Sequence, residues 1–306
     1  MEWHGLPDAL KSIFPAHEFH ALPTEEEIAS YPDEFPYDGF TSTTLTAAHL
    51  QKPPGSALNL VRRAASAVSG RNAYDLVLIV DDVELSNLSQ HTTGALGEEH
   101  IVEVFRAAVK AHLAALSTQL VESKKDQATF AKTEKALREK VCFHLLAPMI
   151  EAWLFGDPQA LVRAGVPSNV APEHTRDLEN FTATDPAYIA ANVDDVCTCW
   201  KANGCKSKLK PAWGKSLPRA HHPKGYLQWL CLDPAAKNCT RYSETGGGAA
   251  ALKSLDFAAV VSHGTTPYLC ALIEDLEQLL GRSAVPLPSP PVSVATNGPS
   301  TVLRNI

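Results

Sequence analysis

The chain has 306 residues, 45% of them hydrophobic and 20% charged, with a formal net charge of −7. That is enough apolar material for one large domain or two ordinary ones. The acidic balance excludes a protein whose whole surface binds nucleic acid and leaves that role to a local basic strip. The opening MEWHGLPDALKSIFPAHEFHALP has no basic region followed by an apolar one. No apolar run reaches the roughly 18 residues that span a bilayer, so a cytoplasmic protein without a membrane partner is expected. The cysteines at 142, 197, 199, 205, 231, 239 and 270 are an odd set without small-scaffold spacing and read as free thiols.

Residues 1–50 are rich in Pro, Glu and aromatic residues, and a short helix near 6–14 followed by irregular chain is expected there. Beyond Pro53 and Pro54, Leu58, Val61, Ala65 and Val68 recur at helical spacing, with Gly70 as a stop. YDLVLIVD is a continuous apolar run of strand length, which predicts a central strand buried on both faces of a parallel sheet. Two amphipathic helices follow, EEHIVEVFRAAVKAHLAALSTQLVE and QATFAKTEKALREK. VCFHLLA at 141–147 predicts a second strand, and MIEAWLFG a helix directly after it. Asp157 and Pro158 then cap and open a helix that stops at Gly165.

The alternation over 51–165 predicts an α/β core, a mostly parallel sheet flanked by helices. Residues 166–250 lose periodicity and predict an irregular, basic, Cys-containing insertion. Leu269, Leu272, Ile273, Leu276, Leu279 and Leu280 form a helical stripe ending at Gly281, so 251–281 is expected to pack on the core. The Pro- and Ser-rich stretch 282–306 reads as a disordered tail.

Asp81, Asp82 and Glu84 stand at the carboxyl end of the first predicted strand, where open α/β sheets bind ligands. Carboxylates gathered there need either a shared proton or a cation, and oxygen-only ligands suit Mg²⁺ or Mn²⁺. If the chain stays extended, Asp81 and Val83 point one way and Asp82 and Glu84 the other; if it turns, all three acids gather. The same acids also suit a solvated cap of the following turn. Glu151 is a lone acid in an apolar helical turn, so it needs a partner, a proton or a metal, unless it sits on an exposed first turn.

Lys201, Lys206, Lys208, Lys210, Lys215, Arg219, Lys224 and Arg241, interleaved with Trp200, Trp213 and Tyr226, form a basic strip with aromatic faces that suits phosphate backbones and unpaired bases, or else a solvated loop. The cysteine and histidine spacings at 197, 199, 205, 221 and 222 fit no structural zinc frame. ETGGGAAAL at 244–252 lacks the Lys-Ser/Thr of a phosphate loop and reads as a hinge, and no G-x-S-x-G elbow is present.

The strand ending IVDDVE, the run P-x-x-E-A-W-x-x-x-D at Pro148, Glu151, Ala152, Trp153 and Asp157, and HPK at His222, Pro223 and Lys224 together resemble the Toprim-like domain-of-unknown-function family numbered 4276, over roughly residues 75–280. The resemblance implies a compact Toprim-like sheet in which an early Glu and a D-x-D after a later strand hold Mg²⁺ for phosphodiester chemistry. Asp81 matches the first acid of the D-x-D, and Val83 stands at the second, with Asp82 and Glu84 forming a D-x-E one residue later. The early Glu has no clear match: either Glu18, Glu25 or another N-terminal acid replaces it, or the first strand is missing or degenerate. The resemblance further implies a partner ATPase in bacterial phage defence. The expected function is a Mg²⁺- or Mn²⁺-dependent nuclease using Asp81, Asp82, Glu84 and Glu151, with Lys208, Lys210 and Lys224 on DNA or RNA. The alternative is a catalytically silent module that docks a partner protein or nucleic acid.

Overall fold

The structure, a computed structural model, describes residues 2–24, 26, 45–69, 72–83, 98–119, 124–191, 219–233, 240–287 and 301–306. Their elements run in chain order as α1 (Glu2–Ile13), α2 (Gly55–Ser69), β1 (Val77–Asp82), α3 (Glu98–Gln119), α4 (Lys124–Lys140) and β2 (Val141–Leu146), then α5 (Glu151–Leu154), α6 (Pro158–Ala164), α7 (Pro186–Ala190), α8 (Pro223–Leu230), a π turn at Glu244–Gly248, α9 (Ala249–Lys253), α10 (Phe257–His263) and α11 (Pro267–Leu280). The class is mixed α/β and rich in helix. Among the described residues the sheet is a parallel pair, β1 beside β2, and no helix is long and apolar enough to cross a membrane.

The chain divides into two units, one of Met1–Leu22 with Ala147–Ser293 and one of Pro23–Leu146 with Val294–Ile306. The segment 51–165, expected as a single core, is therefore shared between them.

In the second of these units β1 and β2 pair in register from Val77 opposite Val141 to Asp82 opposite Leu146. Every residue of β2 is buried, whereas β1 alternates between buried and half-buried positions over its first half. The strand covered on both faces is thus β2, not the expected β1. An apolar run shows that a strand is buried but not which of two neighbours lies deeper. Helix α2 buries Ala57, Val61, Ala64, Ala65 and Val68, a stripe at helical spacing, and packs on α3 and α4. Phe105 of α3 stacks on Phe143 of β2 with ring centroids 4.2 Å apart. Stacking of this kind adds about 0.5–1.5 kcal/mol to the area buried.

In the other unit α1 buries Leu6, Ala9, Leu10 and Ile13 and packs on α9, which packs on α6. The π turn approaches α6 closely at Gly247, where a Cβ would lie 2.9 Å from the Ala164 carbonyl oxygen. The expected hinge is instead a π turn running directly into α9, and Gly247 within it serves close packing.

Asp157 caps α6 through Gln159 N–H, and Gly165 ends it at φ 111°, as expected. The expected irregular insertion contains α7, α8 and the bridges His174–Ala183 and Leu232–Thr240. Around them Phe155, Phe181, Tyr188 and Tyr226 pack ring to ring, so non-periodic aromatic residues make a core that hydrophobic period does not reveal. Asp185 ties it together, capping α7 with one oxygen while the other accepts from Trp229 Nε1 at 3.3 Å.

The disordered tail also needs correction. Ala284 N–H donates to Ile13 O, Val285 is buried, and Val302, Leu303 and Ile306 are buried as well. Composition averaged over the stretch conceals these apolar anchors. Residues 288–300 lie outside the described residues.

Candidate functional site

The predicted acids fall in different places. Asp81 and Asp82 are the last two residues of β1, each half-buried. The ladder continues past them, because Val83 N–H donates to Leu146 O at 2.9 Å. The chain is therefore extended through this point, and alternation sets the two carboxylates on opposite faces of the strand. Asp81 shares its face with Val77, Ile79 and Val83, which are 9%, 8% and 0% exposed. Glu84 lies outside the described residues, as do Lys208 and Lys210, the cysteines at 197, 199, 205 and 239, and most of the basic strip.

Glu151 and Lys224 lie together in the other unit. Glu151 opens α5 and is 3% exposed. Its Oε1 accepts the Tyr242 hydroxyl at 3.1 Å and lies 3.9 Å from Lys224 Nζ. The same ammonium lies 2.6 Å from Glu244 Oε1. Each partner is placed by a local device. Lys224 is the second residue of α8, whose start is fixed by Pro223 at N1 and by His222, the N-cap, whose side chain accepts from Gly225 N–H. Glu244 opens the π turn, capped by Ser243, whose hydroxyl accepts from Gly246 N–H at 3.1 Å. The HPK run is thus first a helix start, and only its lysine projects charge into the cluster.

Two carboxylates and one ammonium meet here, a formal charge of −1. Burial pushes the Glu244 carboxyl up, but the hydrogen bond and charge of Lys224 more than offset it and hold Glu244 below its ordinary range. Lys224 keeps part of its surface open, with 28% of its side chain exposed. The cluster can present an ammonium to an anion that displaces Glu244.

Two other buried acids of this unit, Asp157 and Glu179, act on the backbone. Asp157 accepts from Gln159 N–H at 2.8 Å and Asp256 N–H at 3.2 Å. Glu179 accepts from Tyr268 and Leu269 N–H at 2.8 and 2.9 Å, capping α11 from 89 positions away in sequence. His174 and His263 stack with centroids 5.6 Å apart, and burial holds both imidazoles below their ordinary value.

Cys142, Cys231 and Cys270 are buried. Cys142 shares β2 with buried His144, two positions on and therefore on the same face.

Tyr242 and Glu244 are the members of the cluster that sequence reading missed. Their one available signal was a glutamate opening a glycine run, Glu244 before Gly246, Gly247 and Gly248. No model of a known protein family matches this chain, and no curated protein and no solved structure matches it either.

Proposed function

We propose that the protein is a Toprim-like, Mg²⁺- or Mn²⁺-dependent nuclease whose metal-binding acids are Asp81, Asp82 and Glu84. The observation that carries this reading is the position of Asp81 and Asp82 as the final residues of a strand in a parallel pair, at its carboxyl end, where α/β sheets bind ligands. The donor set fits, since Mg²⁺ is commonly held by one or two carboxylates, with waters and substrate phosphates completing its shell. With the acids on opposite faces, each face offers one carboxylate from this pair. The chemistry that Mg²⁺ supplies when bound is charge neutralisation on a phosphoryl oxygen and a lowered pKa of water.

Glu151 is better read as the holder of Lys224 than as a further ligand, because its carboxylate already meets Tyr242 and Lys224. Lys224 then offers a point charge to a phosphate of DNA or RNA, and Lys208 and Lys210 join it in that role. A partner ATPase, a place in phage defence and a cytoplasmic location belong to the same reading and rest on the family resemblance.

A second reading, a catalytically silent module that docks a partner, is favoured by Val83. It stands where a second acid of a D-x-D would be and is fully buried. Calorimetry separates the two. The nuclease reading expects Mg²⁺ or Mn²⁺ to bind the full chain and the heat to vanish in Asp81→Asn and Asp82→Asn together. Absence of binding up to millimolar metal, with and without nucleic acid, favours the docking module.

A further inference from the structure

A strand turns the N–H and C=O of one residue toward the same edge, and those of the next residue toward the other. In β2 the edge away from β1 is formed by Val141 and Phe143, and residues 301–306 cover it. Arg304 N–H donates to Val141 O at 2.8 Å. The Asn305 side chain then brackets Phe143, its Oδ1 accepting from Phe143 N–H at 2.9 Å and its Nδ2 donating to Phe143 O at 2.7 Å. Nδ2 also lies 3.3 Å from His144 Nε2.

The carboxamide supplies one acceptor and one donor, the complement of what one strand residue presents. Aspartate lacks the donor, and alanine lacks both. Apolar anchors surround this contact, with Val302, Leu303 and Ile306 at 4%, 1% and 4% exposed and Asn305 at 3%. The segment is a compact turn rather than a strand, because Val302 and Leu303 N–H both donate to Ile306 O. Arg138 holds its near end by donating to Thr301 O.

A simple edge cover needs only main-chain pairing or charge. Here one buried side chain reads both polar groups of a single strand residue, between aliphatic side chains that are themselves buried. We propose that the outer edge of β2 is a peptide-recognition surface for a turn bearing asparagine among aliphatic residues. Residues 301–306 occupy it as a ligand from the same chain, and a partner segment of the same chemistry binds by displacing them.

The test uses the full chain and a fluorescent synthetic peptide of sequence Thr-Val-Leu-Arg-Asn-Ile. The peptide is titrated to about 1 mM, the scale of effective concentration for a tethered segment. Asn305→Ala weakens the resident competitor, so the peptide binds this variant at least tenfold more tightly than the wild type. A peptide with Ala in place of its Asn binds neither. The Phe143 amide exchanges with solvent faster in Asn305→Ala, and added peptide restores its protection. Equal affinity for wild type and variant, or no binding to a folded variant, overturns the proposal. Should Asn305→Ala unfold, Arg138→Ala decides: beside an exposed pair with Glu134 within α4 it removes the hold on Thr301, so peptide affinity must rise, and an unchanged affinity overturns the proposal.

Discussion

Lys224 Nζ lies 2.6 Å from Glu244 Oε1 while remaining within 3.9 Å of the buried Glu151. One ammonium therefore serves an exposed carboxylate and a buried one. The buried partner dominates the energetics, because an uncompensated charge costs far more inside than at the surface. Lys224→Ala is expected to lower stability by roughly 2–3 kcal/mol, below the range for a broken buried pair because the Glu151 contact is long. Denaturant titration measures it. Glu151→Gln in the same background should recover part of the loss, since it removes the stranded charge.

The pH dependence of that change follows from Glu244. Its carboxyl is held below 4.5 in the folded state, so the unfolded chain takes up the proton first on acidification. The contribution of Lys224 to Glu244 is therefore complete above about pH 4.5 and is lost as the pH falls through the lower, folded value. Wild type and Lys224→Ala should converge in this contribution at acid pH. A stability difference that instead grows on acidification would contradict the assignment.

The elements that could be read in advance are those whose signals are local. The cap at Asp157 and the stop at Gly165 lie next to the helix they bound, and the α2 stripe repeats every three to four residues. Pairing partners are long-range and left no such mark. Glu179 caps a helix 89 positions further on, and Asn305 pairs with Phe143 across 162 positions. Glu151 was legible as a buried acid in need of a partner, but nothing near it in sequence named Tyr242 or Lys224. Extension through Val83 settled which way Asp81 and Asp82 point, a choice that residue types leave open.

Gly264 reports on the approach of the loop before α11. A Cβ there would lie 1.7 Å from the Arg176 carbonyl oxygen, and Arg176 Nε in turn donates to His263 O. Backbone meets backbone, so no side-chain rotation relieves the overlap. Gly264→Ala should cost at least about 3 kcal/mol, the top of the range for overpacking. Gly55, at the start of α2, meets nothing within 4 Å, and Gly55→Ala should raise stability by about 0.4–1 kcal/mol. Chemical denaturation of both variants checks the contrast.

Burial pushes the Cys231 thiol up to about 12 and raises Cys270 as well. The thiolate is the reactive form, so both should resist alkylation at pH 8 in the native protein, as should buried Cys142. Brief treatment with N-ethylmaleimide followed by peptide mass spectrometry should find these three unmodified. They should become labelled in denaturant. Rapid native labelling of Cys231 would show that its surroundings open.

The most direct measurement of the proposed activity is cleavage of supercoiled plasmid and single-stranded RNA by the purified chain with Mg²⁺ or Mn²⁺. Asp81→Asn and Asp82→Asn are assayed beside it. The account predicts phosphodiester cleavage that a chelator abolishes. It also predicts a fall of at least about 100-fold when both acids are changed, the scale of losing an electrostatic contact to developing charge. Cleavage that persists in the double variant, or no cleavage of either substrate with either metal, would contradict it.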